Sequence, residues 1–358
     1  MIIKMNAENN VNMDPLIRPL VTFAIFAYNQ EIYIKEAVES AFAQDYSPLE
    51  IIISDDRSSD KTFDIINSLV KNYRGVHHVR AVQTSSNKGT MSHLLSIVGQ
   101  SNGELIIMAG GDDISYPNRT RTLYDSWSEN SAWALHSKFD KINQSGDMLA
   151  ADCKHETSSY SMRRMFKDES SLQLILGATS AYDRRAFSLV NHECKGIVQE
   201  DAVMSFLLHC HGKKIMFVDK SLVKYRSNSG ALTNTIYKRF NINQSELIND
   251  EEKAKINTLS FINLHTFLLK TIGDLRSSRP ILIDSILKSE AENQIRYNLR
   301  YNLKFNSMVI EWVDAGFISR LQFLLGSFRW VDIKWISPRL FGLSFFIKTK
   351  VFFNKLRR

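Results

Sequence analysis

Three acidic pairs, Asp55-Asp56, Asp112-Asp113 and Glu200-Asp201, hold most of the chemical potential of this chain. Asp112 and Asp113 follow the continuous apolar run Leu105–Ala109 across Gly110-Gly111. A run of that kind reads as a central strand covered on both faces, and paired glycines let a ligand approach the backbone. Ligands of open α/β sheets sit beyond the carboxyl ends of the strands, where hard oxygen donors suit a divalent cation carrying phosphates. A surface turn whose aspartates cap the next helix is the competing reading of the same residues. Glu200 and Asp201 precede a helical pattern over Ala202–His211. Free backbone N–H groups and the macrodipole favour negative charge at that end.

The elements that must position these acids alternate in type. Val21–Ala27 is β-branched and aromatic and ends at Tyr28-Asn29; Leu49–Ser54 runs into Asp55-Asp56; Val79–Thr84 reads as a third strand and the Gly103 segment as a fourth. Between them, Glu31–Gln44, Lys61–Tyr73 and Met91–Val98 have helical periods. Four strands alternating with helices define an α/β sheet with parallel crossovers. A helix over Asn118–Trp127 and a strand over Trp133–Ile142 follow, and Leu149–Ser170 has no clear pattern. Gly177–Tyr182 reads as a turn entering a strand, Arg184–Leu189 as a short helix, and Ile215–Val218 and Leu222–Tyr225 as two short strands before a polar loop from Arg226. Beyond Tyr237 the texture is helical, over Glu251–Leu269, Ile281–Leu303 and Val309–Leu325, with a break at Arg279-Pro280.

With 358 residues and 44% hydrophobic content, the chain can bury a large core. Its formal charge of +7 is uneven, since Lys334–Arg358 holds seven Lys or Arg and no acid. One basic tail on a near-neutral body argues against nucleic acid and for a local anionic surface. The aromatic, basic segment Trp335–Leu356 is too interrupted to span a bilayer and fits a helix lying in a headgroup interface. Cys153, Cys194 and Cys210 have no CxxC spacing, so reduced thiols and a cytoplasmic protein, peripheral on the inner face of the membrane, are expected. The resulting domain plan is a leader over 1–20, a catalytic domain over 21–236, a helical extension over 237–330 and a basic amphipathic tail over 331–358.

Val21–Asn29, Ile51–Thr62, Asn87–Asp113 and Gln199-Glu200-Asp201, in that order and spacing, resemble the family 2 glycosyltransferases of the GT-A fold, over roughly residues 20 to 232. The resemblance implies a mixed, mainly parallel sheet flanked by helices, with an all-helical C-terminal extension. It implies nucleotide-sugar contacts from Ala27, Tyr28, Asn29, Asp55, Asp56, Lys88, Gly111, Asp112, Asp113, Glu200 and Arg226. A Mg²⁺ or Mn²⁺ ion would rest on Asp112 and Asp113, although the first acid of the family's Asp-x-Asp motif is here Gly110. Asp201 would be the catalytic base of an inverting transfer. The donor implied is a nucleotide-diphosphate sugar, and the acceptor a glycan or lipid-linked oligosaccharide of surface polysaccharide synthesis. A nucleotidyltransferase on a similar sheet and a non-catalytic membrane-surface binding protein are the other readings that the residues leave open.

Overall fold

A computed structural model of the chain describes residues 18–154, 175–227 and 247–279, with 292, 293, 295, 296, 299 and 300 beyond them. Residues 1–17, the latter part of the unpatterned stretch and most of the segments expected to be helical after 280 lie outside the described residues, as does the basic tail.

The first half is the expected alternation. Strands β1 (Val21–Ala27), β2 (Leu49–Asp55), β3 (His78–Gln83) and β4 (Leu105–Gly110) are linked by helices α1 (Ile34–Phe42), α2 (Thr62–Asn72) and α3 (Thr90–Val98). All four strands are parallel, in the order β3-β2-β1-β4. The apolar residues of β1, β2 and β4 are almost wholly enclosed, which explains their unbroken hydrophobic runs. Ile34, Ala37, Val38 and Ala41 turn one face of α1 onto this core.

Past β4 the sheet becomes mixed. A two-residue strand β5 (Ile114–Ser115), which the sequence pattern does not reveal, leads to α4 (Arg119–Asn130), β6 (Ala134–Ile142) and β7 (Met148–Cys153). A 3₁₀ turn over Gly177–Thr179, strand β8 (Ala181–Asp183), a 3₁₀ segment over Arg184–Leu189, helix α5 (Glu200–Cys210) and strand β9 (Ile215–Arg226) complete it. The order is β3-β2-β1-β4-β8-β6-β9-β5, with β7 beside β6. This is the expected mixed, mainly parallel α/β sheet flanked by helices. The unpatterned stretch therefore begins with a strand, β7, paired to β6. The two short strands expected after α5 are instead one, β9, whose pairing with β6 shifts register between Ser137 and Asp140. That irregularity interrupts the alternation and makes one strand look like two.

The chain divides into two compact units, and residues 192–199 group with the C-terminal one. In that unit, helix α6 (Leu247–Ser278) buries Leu264, Phe267, Leu268 and Ile272, and Ser260 Oγ accepts from Val198 N and donates to Gln199 Oε1. The helix ends at the expected Arg279-Pro280 break.

The entry to β4 is built on Glu50. Its Oε1 accepts from Thr22 Oγ1 at 2.6 Å and from the amides of Asn102 at 2.5 Å and Gly103 at 3.0 Å. Gly103 has no room for a side chain, since a Cβ would lie 2.3 Å from the backbone nitrogen of Thr22. Burial alone would push the Glu50 carboxyl up, but the hydrogen bonds from Thr22, Asn102 and Gly103 outweigh it and hold the group below its ordinary value of 4.5. A depressed carboxyl stabilises the fold above the unfolded-state value and loses that contribution as pH falls through the folded one. Glu50→Gln should therefore lose about 1–3 kcal/mol at neutral pH. Denaturant melts should show the gap to wild type closing as pH falls below 4.5; a gap independent of pH would rule the carboxylate out as its source.

Candidate active site

The parallel register sets Ala27 opposite Asp55 and Phe26 opposite Gly110, so the carboxyl ends of β1, β2 and β4 share one edge. Beyond β1, Tyr28 is 48% exposed and presents an aromatic face to solvent. Asn29, at φ 52°, turns the chain and ties it to the loop after β2. Its amide donates to Ser58 Oγ at 2.8 Å and its Oδ1 accepts from Ser59 N at 2.9 Å. Asp55 is fully enclosed and accepts from the Ser58 hydroxyl, from Ser58 N at 3.0 Å and from Gln83 Nε2 at 2.9 Å. A base or ribose reaches Asp55 only by displacing Gln83 or Ser58.

Three of the residues assigned to the nucleotide have other work in this structure. Both oxygens of Asp56 accept from the amide of Lys88, and Gly89 N and Thr84 Oγ1 add further bonds, so this buried carboxylate shapes the approach to α3. Ala27 and Gly111 pack on each other: a Cβ at Gly111 would lie 3.1 Å from that of Ala27 and 2.3 Å from Gln30 Oε1. Lys88 remains partly exposed, its Nζ 3.1 Å from Ser96 Oγ.

Arg226, expected at the nucleotide sugar, has a side chain that is 1% exposed. Nε donates to Asp112 O at 2.8 Å, Nη1 to Asn143 O at 3.2 Å and Gln144 O at 2.8 Å, and Nη2 to Glu36 Oε2 at 2.5 Å. Its backbone N also donates to Asp113 Oδ1 at 2.8 Å. Arg226, the last residue of β9, is thus the strap of the Asp112-Asp113 turn.

That turn folds back over Gly110. A Cβ on Gly110 would lie 3.0 Å from both Asp112 Oδ1 and Asp113 Oδ2, so two carboxylates fill the space that a side chain at 110 would claim. Burial, then the charge of Asp112, pushes the Asp113 carboxyl well above the usual range, with Arg226 and Arg119 opposing. A site that penalises its own negative charge gains from a bound cation, and two hard oxygens converging on one point fit a divalent ion whose remaining ligands are waters or phosphates. Among the described residues no group of three or more His, Cys, Asp or Glu side chains is arranged to hold a metal.

The second acidic pair is carried to β4 by the Gly177–Thr179 turn. Glu200 and Asp201 fall in the first turn of α5, and a Cβ on Gly177 would lie 2.2 Å from Glu200 Oε1 and 3.8 Å from Asp201 Oδ2. The same turn joins β4, because Met108 N donates to Ser180 O at 3.0 Å, two residues ahead of Gly110. Burial, then Asp201, pushes the Glu200 carboxyl well above its usual range. Burial, then Glu200 and Asp201, does the same to the enclosed Tyr182 phenol. Asp201 is 6% exposed, with Oδ1 accepting from Ala202 N at 2.8 Å. Gly177 and Arg119 have no signal in the sequence: each matters through a neighbour distant along the chain.

Residues 22–190 match the family model described as "Glycosyl transferase family 2". Just under half of the chain is thus similar to glycosyl transferase family 2. Among curated relatives it is 31% identical over 164 residues to the probable glycosyltransferase YdaM of Bacillus subtilis, covering 43% of this chain and 38% of that one. It is 28% identical over 131 residues to the succinoglycan biosynthesis protein ExoO of Rhizobium meliloti, covering 37% and 36%. The chain thus spans little more than a third of the length of these relatives. A crystal structure of S. aureus TarS 1-349 in complex with UDP-GlcNAc aligns with a TM-score of 0.48 at 14% identity, covering 82% of this chain and 91% of that one. The family 2 match takes in all the expected site residues except Glu200, Asp201 and Arg226.

Proposed function

We propose that the family 2 domain, within residues 21–236, transfers one sugar from a nucleotide-diphosphate donor to a glycan or lipid-linked oligosaccharide, with inversion at the anomeric carbon. The observation that carries this reading is the single sheet edge to which β1, β2 and β4 deliver Tyr28, Asp55 and Asp112, with Asp201 attached to the flank of β4 through Gly177. Tyr28 would stack on the base, while Asn29, Asp55 and Lys88 would frame the nucleoside and its phosphates. The Asp201 carboxylate would take the proton of the acceptor hydroxyl as that oxygen bonds to the anomeric carbon and the nucleoside diphosphate departs. The Glu200 carboxyl beside it is pushed well above its usual range by burial and by Asp201.

Asp112 and Asp113 would hold Mg²⁺ or Mn²⁺, which stabilises charge on a departing diphosphate. Chelation is then expected to abolish sugar transfer and either ion to restore it; transfer indifferent to both treatments would dismiss the ion. A panel of nucleotide sugars screened by thermal shift identifies the donor, because a ligand bound to the folded state raises its stability. Relatives named for polysaccharide biosynthesis support an acceptor of that class. Among the described residues no helix is long and apolar enough to cross a membrane. Lipid-linked acceptors would be met through the basic segment 331–358, and that part of the proposal rests on sequence alone.

A further inference from the structure

Arg119, the first residue of α4, is with Arg226 one of the two largest fully enclosed side chains among the described residues. Its Nη2 donates to two carbonyls, Met108 O at 2.6 Å and Ala178 O at 2.9 Å, and its Nη1 to Ser115 Oγ at 2.9 Å. The guanidinium lies over the ring of Phe23 at 5.7 Å. All three acceptors are neutral, and the charge that offsets the guanidinium is that of Asp113. A neutral amide could serve either carbonyl, so hydrogen bonding to one of them does not by itself account for an arginine here.

What the three acceptors have in common is their position around the acids. Met108 lies four residues ahead of Asp112 and Ser115 two beyond Asp113, so one guanidinium grips the Asp112-Asp113 turn from both sides. Ala178 adjoins Gly177, the residue against which Glu200 and Asp201 pack. One planar group therefore fixes the strand ending in the first acidic pair against the turn supporting the second. A lysine offers one nitrogen that can still bridge the two carbonyls, whereas an apolar side chain cannot.

We propose that Arg119 is a positioning residue for sugar transfer, setting the separation between the Asp112-Asp113 turn and the Asp201 carboxylate. The proposal rests on the reading of Asp201 as the base. It is tested with Arg119→Met and Arg119→Lys in the full chain, using the nucleotide sugar that the thermal screen selects. Displacing a catalytic group by about 1 Å costs on the order of 100-fold. Arg119→Met should accordingly lower kcat by about that factor with KM for the donor little changed, and Arg119→Lys should recover most of it. Independently of turnover, amide exchange at Thr179 and Ser180 should quicken in Arg119→Met and not in Arg119→Lys. An unchanged kcat, a KM rising in step with any loss of kcat, or unaltered exchange at 179 and 180 overturns the proposal. Should Arg119→Met not fold, Arg119→Leu, which likewise offers no donor to either carbonyl, takes its place with the same expected result. A normal turnover in Asp201→Asn would remove the base, whereas the exchange measurement reports on the Arg119 bracket alone, so the two failures are told apart.

Discussion

Asp201→Asn should bind the nucleotide donor as tightly as wild type and turn over ~10²–10⁴-fold more slowly, the usual worth of a positioned general base. The side chain is buried, keeps its size in the asparagine, and its Oδ1 bond to Ala202 N survives the change. The fold therefore has little reason to respond. Release of nucleoside diphosphate, measured beside donor affinity, separates the outcomes: equal turnover in mutant and wild type would show that some other group takes the proton. Glu200→Gln should be much milder, because burial and the charge of Asp201 push the Glu200 carboxyl well above its usual range and Gln keeps its size.

The second large effect is expected at Arg226. Replacing it with methionine strips hydrogen bonds from four acceptors, Asp112 O, Asn143 O, Gln144 O and Glu36 Oε2. Three of these acceptors are neutral carbonyls and Glu36 is half-exposed, so the expected cost is about 1–3 kcal/mol. The loss should be felt twice, in equilibrium stability and in the order of the Asp112-Asp113 turn. Urea melts check the first, and the concentration of Mn²⁺ needed for half-maximal turnover checks the second. A variant as stable as wild type with unaltered Mn²⁺ requirement would mean that Arg226 is free for the phosphate after all.

These cases mark where the sequence was readable. The strands β1, β2 and β4 announce themselves because a parallel strand covered on both faces needs an unbroken apolar run, and α1 and α2 because each buries one face at helical spacing. The acids at the strand ends could be named for the same reason, as polar residues directly after such runs. What stayed hidden is which of them face a ligand. Asp56 and Arg226 look as available in sequence as Tyr28 does, and only the folded chain shows the first bonded to Lys88 and Gly89 and the second to four acceptors. Long-range partners carry no local pattern, so Gly177 and Arg119 were invisible. The irregular pairing of β6 with β9 misled in the opposite direction, since a shifted register mimics the end of a strand.

Arg226 also says something about the order of assembly. The amide that restrains Asp113 belongs to the last residue of β9, 113 positions further on. A chain emerging from the ribosome builds β1 to β4 early and lacks this strap until the final strand has been made and docked. The segment 22–190, by which the family is recognised, stops short of it. Fragments cut at that boundary would carry Asp112 and Asp113 without the Arg226 strap.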